Sequence, residues 1–154
     1  ELTMPYTYNP DHSGAHYLIG EAYKNHGEWC ESIAKHHRGL DYLVNPTTKW
    51  NEGSDIESEH LSVKSADASL GRLYADAKED IMDLYFEGCP SKNWLYVEVI
   101  GETVFEWKMN KREFRRFLEN FGYVHYETGH REQQKIRIRK TSKKMLEWLN
   151  SQVK

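Results

Sequence analysis

Gly53-Ser54-Asp55-Ile56-Glu57-Ser58-Glu59-His60-Leu61-Ser62-Val63-Lys64-Ser65 constrains the fold of this chain more than any other stretch. It reads as two short strands, residues 54–58 and 60–65, joined by a tight turn. Side chains on a strand alternate between faces with period two. Asp55 and Glu57 therefore share one face of the first strand and Ile56 takes the other. On the second, His60, Ser62 and Lys64 share a face opposite Leu61 and Val63. Ile56, Leu61 and Val63 are expected on the core side, and Asp55, Glu57 and Lys64 gather on the other.

Carboxylates beside a single ammonium suit phosphodiester hydrolysis. Oxygen ligands hold a hard divalent cation, and a lysine steadies the attacking water and the charge that builds on phosphate. The pieces Ser54-Asp55 and Ser62-Val63-Lys64 resemble the PD-(D/E)xK nuclease superfamily, in which an aspartate ends one strand and a (D/E)-x-K triplet lies on the next. Two positions depart from that pattern: Ser54 stands in place of the frequent proline, and Ser62 in place of the second carboxylate. The resemblance implies a restriction endonuclease-like α/β fold, a mixed sheet flanked by helices, and a Mg²⁺ or Mn²⁺ cofactor. It implies Asp55 as principal metal ligand, with Glu57 or Glu28 as the second carboxylate and the Val63 backbone carbonyl facing the metal. Lys64 would orient water, and Ser62 would at most bond a metal-bound water. Glu28 enters through Gly27-Glu28-Trp29-Cys30-Glu31, which resembles the family's glutamate-bearing helix; Glu21 and Glu31 are alternatives.

The 154 residues fit one domain with a real core. With 29% charged residues and no long apolar run, a membrane span is not expected. Cys30 and Cys89 are too few for a disulfide framework, and the opening residues 1–10 lack a signal-peptide apolar region, so an intracellular, cytoplasmic protein is expected. The net charge of -3 hides a lopsided distribution. Residues 108–154 hold 13 Lys/Arg against 5 Asp/Glu, leaving 8 basic and 19 acidic residues in residues 1–107. A basic half attracts a phosphate backbone, and an acidic half can hold the bridging cation.

Residues 1–13 read as an irregular arm. A helix is expected over residues 14–38, with Gly20 and Gly27 as weak points, then a strand over 40–45 stopped by Pro46. A second helix is expected over 70–87, and strands over 93–100 and 103–109 about a Gly101-Glu102 turn. A helix over 110–120, strands over 123–127 and 134–140 and a final helix over 141–152 complete a sheet of about five or six strands.

On the strand from Gln134 to Lys140, Ile136 and Ile138 are assigned to the core, while Lys135, Arg137 and Arg139 line the exposed face. Their roughly 6–7 Å repeat matches the scale of successive phosphates. Lys140, Lys143 and Lys144 extend this patch, and Arg112, Arg115 and Arg116 form a second cluster. The structural alternative is a charged edge strand that resists aggregation. DNA is thus the expected partner, and a homodimer the expected assembly, since cutting two strands needs two sites. The other readings are a DNA-binding protein on the same fold that has lost catalysis, and an interaction module presenting Trp94, Tyr96 and Trp107 at its surface.

Overall fold

The computed structural model describes residues 2–7, 26–39, 61–66, 68–70, 77–89, 91–127 and 133–152. They form a mixed α/β fold of seven strands and four helices, counted among the described residues. The elements are β1 (Leu2–Thr7), α1 (His26–His37), β2 (Leu61–Lys64), β3 (Ser69–Leu70), α2 (Lys78–Gly88), β4 (Asn93–Ile100), β5 (Thr103–Asn110), α3 (Lys111–Phe121), β6 (Gly122–Glu127), β7 (Gln133–Ile138) and α4 (Lys143–Ser151). One mixed sheet has the order β1-β5-β4-β2, and a second has the order β3-β7-β6. The expected single sheet of five or six strands is therefore two sheets.

β2 and β4 are parallel, with Ser62 opposite Trp94 and Lys64 opposite Tyr96. Parallel neighbours need a crossover, and here β3 and α2 lie between them in the chain. β4 and β5 form an antiparallel hairpin turned at Gly101, whose φ of 63° is the left-handed conformation that glycine adopts without strain.

Both faces of the four-stranded sheet are covered. On one, Cys30, Ile33 and Ala34 of α1 pack against Leu61, Val63, Leu95, Val97 and Val104. On the other, Trp94, Tyr96, Trp107 and Met109 meet Ile81, Met82 and Phe86 of α2 and Phe114, Phe117 and Leu118 of α3. Ile136 and Ile138 of the second sheet and Met145 and Leu149 of α4 join the same cluster. The Trp94 ring stacks on Phe114 at 5.3 Å and meets Phe86 edge-on at 5.2 Å, geometries that aromatic quadrupoles favour. Trp94, Tyr96 and Trp107 are thus interior residues, at 1%, 0% and 2% exposure, and do not form the expected interaction surface. Alternation predicts that one set of side chains on β4 leaves the core only if one face of the sheet is open, and neither is.

Two further expectations are corrected. Within the expected N-terminal arm, residues 2–7 form an edge strand antiparallel to β5, whose register shifts between Thr3 and Tyr6. That irregularity brackets Pro5, and sheet edges and bulges are where a residue without an N–H is tolerated. Leu70 does not begin the second helix: with Ser69 it pairs with β7, and the helix starts at Lys78. The helix expected from residue 14 is described only from His26, residues 14–25 lying outside the described residues, as does the expected strand over 40–45.

The remaining elements follow local rules closely. Asn110 caps α3 by accepting from the Glu113 N–H at 2.8 Å, while the Glu113 carboxylate accepts from the Asn110 N–H at 3.0 Å, a reciprocal capping box. Ser142 caps α4 through the Met145 N–H at 3.2 Å.

Candidate functional site

β2 carries the Ser62-Val63-Lys64 triplet as the period-two reading requires. Leu61 and Val63 face α1, and Ser62 and Lys64 take the opposite face, beside Trp94 and Tyr96. That second face is not a solvated one. Ser62 is buried, and its hydroxyl lies 2.5 Å from that of Ser91, the residue that leads toward β4. Lys64 is half-buried, with its ammonium 5.9 Å from the centre of the Tyr85 ring, within reach of a cation–π attraction. Tyr85 is itself fixed, since its hydroxyl accepts from Trp94 Nε1 at 2.9 Å.

Asp55 and Glu57 lie outside the described residues, as does the first strand of the expected hairpin. Glu28 belongs to α1, the helix on the Leu61/Val63 side of the sheet, although its side chain is not among those described. Behind β2, burial pushes the Cys30 thiol up to about 12, with the Glu98 charge adding to the effect and the Ser65 hydroxyl opposing it. The thiol is therefore protonated at neutral pH, unlike a reactive cysteine. Among the described residues, no group of three or more His, Cys, Asp or Glu side chains could hold a metal ion.

Two features of this region carry no sequence signal. Tyr85, eleven residues short of Tyr96 in a helix, reaches Lys64 only through the packing of α2 on the sheet. Two residues beyond Tyr96 on the same face of β4, Glu98 accepts a hydrogen bond from Thr141 at 2.5 Å, and Thr141 is 2.9 Å from the Tyr96 hydroxyl. This chain of polar groups ties the end of β4 to the segment that enters α4.

The basic residues divide by element. β7 is the middle strand of its sheet, between β3 and β6, so the charged-edge-strand alternative does not describe it. Ile136 and Ile138 are buried as expected, with Lys135 and Arg137 half-buried on the other face. Arg139 is exposed and lies 4.9 Å from the centre of the Tyr123 ring. Lys140, Lys143 and Lys144 are exposed. On α3, Arg112 and Arg116 are exposed, while Arg115 pairs with Asp83 at 2.7 Å and lies 3.8 Å from Glu119. Arg115 is thus partly neutralised within the fold, which its place in the sequence does not reveal.

Among the described residues, no helix is long and apolar enough to cross a membrane. Searches of protein-family models, curated proteins and solved structures returned no match to this chain.

Proposed function

We propose that this chain is a small metal-dependent DNA endonuclease of the PD-(D/E)xK type. The observation that carries this reading is the placement of Lys64. Its side chain leaves β2 on the face opposite Val63, half-buried beside Tyr96 and Tyr85, in a mixed sheet flanked by helices. A partly desolvated ammonium held by an aromatic ring is well suited to orient a water and to stabilise charge on a phosphate. Asp55, with Glu57 or Glu28, would hold Mg²⁺ or Mn²⁺, together with the backbone carbonyl of Val63. The cation would supply Lewis acidity toward the phosphate. Ser62 adds little to this set, because its hydroxyl is already engaged by Ser91. Lys135, Arg137, Arg139, Lys140, Lys143, Lys144, Arg112 and Arg116 would hold the DNA backbone, with Arg115 in a lesser part. The chain would act inside the cell as a homodimer.

The test is cleavage of supercoiled, linear and branched DNA with Mg²⁺, Mn²⁺ or EDTA, comparing the wild type with Asp55→Ala and Lys64→Ala. The expected result is metal-dependent nicking or linearisation that both substitutions abolish. Cleavage that survives both substitutions overturns the assignment.

One observation favours a second reading, a DNA-binding protein on the same fold without catalysis. The residue at the second carboxylate position is a buried serine bonded to another serine. Under that reading DNA is retained in EDTA, salt-dependently, and nothing is cut.

A further inference from the structure

We infer that the outer face of the β3-β7-β6 sheet binds unpaired DNA, with bases stacking on Tyr123 and His125 while Lys135, Arg137 and Arg139 hold the phosphates. This rests on the DNA reading above and adds the strandedness of the substrate. On β6, the alternation that sends Val124 to the side of Ile136 sends Tyr123 and His125 to the other side. The antiparallel register then sets Tyr123 opposite Arg137 and His125 opposite Lys135, so each ring has a cation directly across from it. Ser69 of β3 lies opposite Arg137 on its other side. The Tyr123 and His125 rings are 6.3 Å apart at 88°, and the Arg139 guanidinium lies 4.9 Å from the Tyr123 ring centre.

The combination distinguishes between nucleic-acid forms. A patch of cations alone attracts any polyanion, duplex included. Aromatic rings interleaved with the cations add nothing for a duplex, whose base faces are occupied by its own stacking. An unpaired strand offers free base faces at every nucleotide, and stacking on side-chain rings is tolerant of sequence. The roughly 6.8 Å repeat of same-face residues along a strand matches an extended nucleotide chain. Arg139 lies over Tyr123, a pairing that a base can share, since guanidinium planes stack on bases as they do on rings.

The test is fluorescence anisotropy in EDTA with fluorescein-labelled oligo(dT) and a duplex of equal charge. Wild type is expected to prefer oligo(dT). Tyr123→Leu should weaken oligo(dT) binding roughly tenfold or more and leave duplex binding nearly unchanged. Tyr123→Phe should retain wild-type binding. Lys135→Gln with Arg137→Gln should weaken both ligands and flatten their salt dependence. On the unmodified protein, oligonucleotides carrying 5-bromodeoxyuridine should photocrosslink at Tyr123 or His125, which keeps the inference testable if Tyr123→Leu does not fold. Equal loss for both ligands in Tyr123→Leu, a preference for duplex, or crosslinks only at other residues would overturn it. Tyr123-dependent binding without any metal-dependent cleavage would sink the nuclease reading alone. Cleavage that needs Asp55 and Lys64 but ignores Tyr123 on single strands would sink this inference alone.

Discussion

The hydroxyls of Ser62 on β2 and Ser91 before β4 are 2.5 Å apart and buried, a polar clasp across the parallel strand pair. Ser62 is thus a structural contact between the start of β2 and the approach to β4. Removing it with Ser62→Ala takes away this buried hydrogen bond, at a cost of about 0.5–1.5 kcal/mol. Urea denaturation should show that loss; under the proposed function, metal-dependent DNA cleavage should stay close to wild type. A collapse of cleavage with stability intact would return Ser62 to the chemistry.

Arg38 forks onto Glu106, with Nη1 to Oε2 at 2.9 Å and Nη2 to Oε1 at 3.1 Å, and Tyr6 of β1 donates to the same carboxylate at 3.1 Å. Glu106 is only 1% exposed, so its charge depends on these donors. Arg38 also closes α1 by donating to the Ala34 carbonyl at 3.1 Å. Arg38→Met should destabilise the fold by about 3–5 kcal/mol, because it removes the guanidinium that pairs with the buried Glu106 carboxylate. The double variant Arg38→Met with Glu106→Gln should recover part of the loss in chemical denaturation.

Burial holds the His37 imidazole below its ordinary 6.5; Glu106 acts the other way, and the Arg38 and His36 charges reinforce the depression. The ring stacks on Tyr6 at 3.5 Å, so its state is coupled to the docking of β1. A depressed value means that the unfolded chain binds the proton first as pH falls. Stability is therefore fully present above 6.5 and is lost as pH drops through the folded value. His37→Gln should flatten that part of the stability profile, and an NMR titration of His37 should give a midpoint under 6.5. A midpoint above it would contradict the geometry.

Lys143 and Lys144 occupy the first turn of α4, where there is no acidic residue and where the helix dipole disfavours cations. Lys143→Glu and Lys144→Glu should each stabilise the protein by about 0.3–1 kcal/mol in thermal unfolding. The same changes should weaken DNA binding if the exposed lysines serve it. Gain in both properties would remove these residues from the DNA surface.

Gly122 ends α3 and begins β6 with no intervening loop. A Cβ there would lie 2.7 Å from the Leu118 carbonyl oxygen and 2.8 Å from Ile136 Cγ2. Lys78 spans the same corner, donating to the Glu119 carbonyl at 3.1 Å and the Gly122 carbonyl at 2.7 Å. Gly122→Ala should cost about 1–3 kcal/mol through this crowding. A circular-dichroism melt is a sufficient readout, and an unchanged midpoint would show that the corner can relax.

Much of the architecture is legible in the order of residues, because local rules act over a few positions. Alternation places Val63 opposite Lys64 and Ile136 opposite Arg137, and the structure keeps both assignments. The spacing of Phe114, Phe117 and Leu118 gives the buried stripe of α3, and Asn110 and Ser142 mark helix starts. What alternation cannot supply is the identity of whatever covers each face. Trp94 and Tyr96 read as a surface until α2 and α3 close over them, and β7 reads as an edge until β3 pairs on its far side. The clasp of Ser62 with Ser91, the ring of Tyr85 near Lys64 and the fork of Arg38 on Glu106 join residues 29, 21 and 68 positions apart. Such contacts form only when non-local burial outweighs the entropy of closing the chain between them, and that balance belongs to the whole fold.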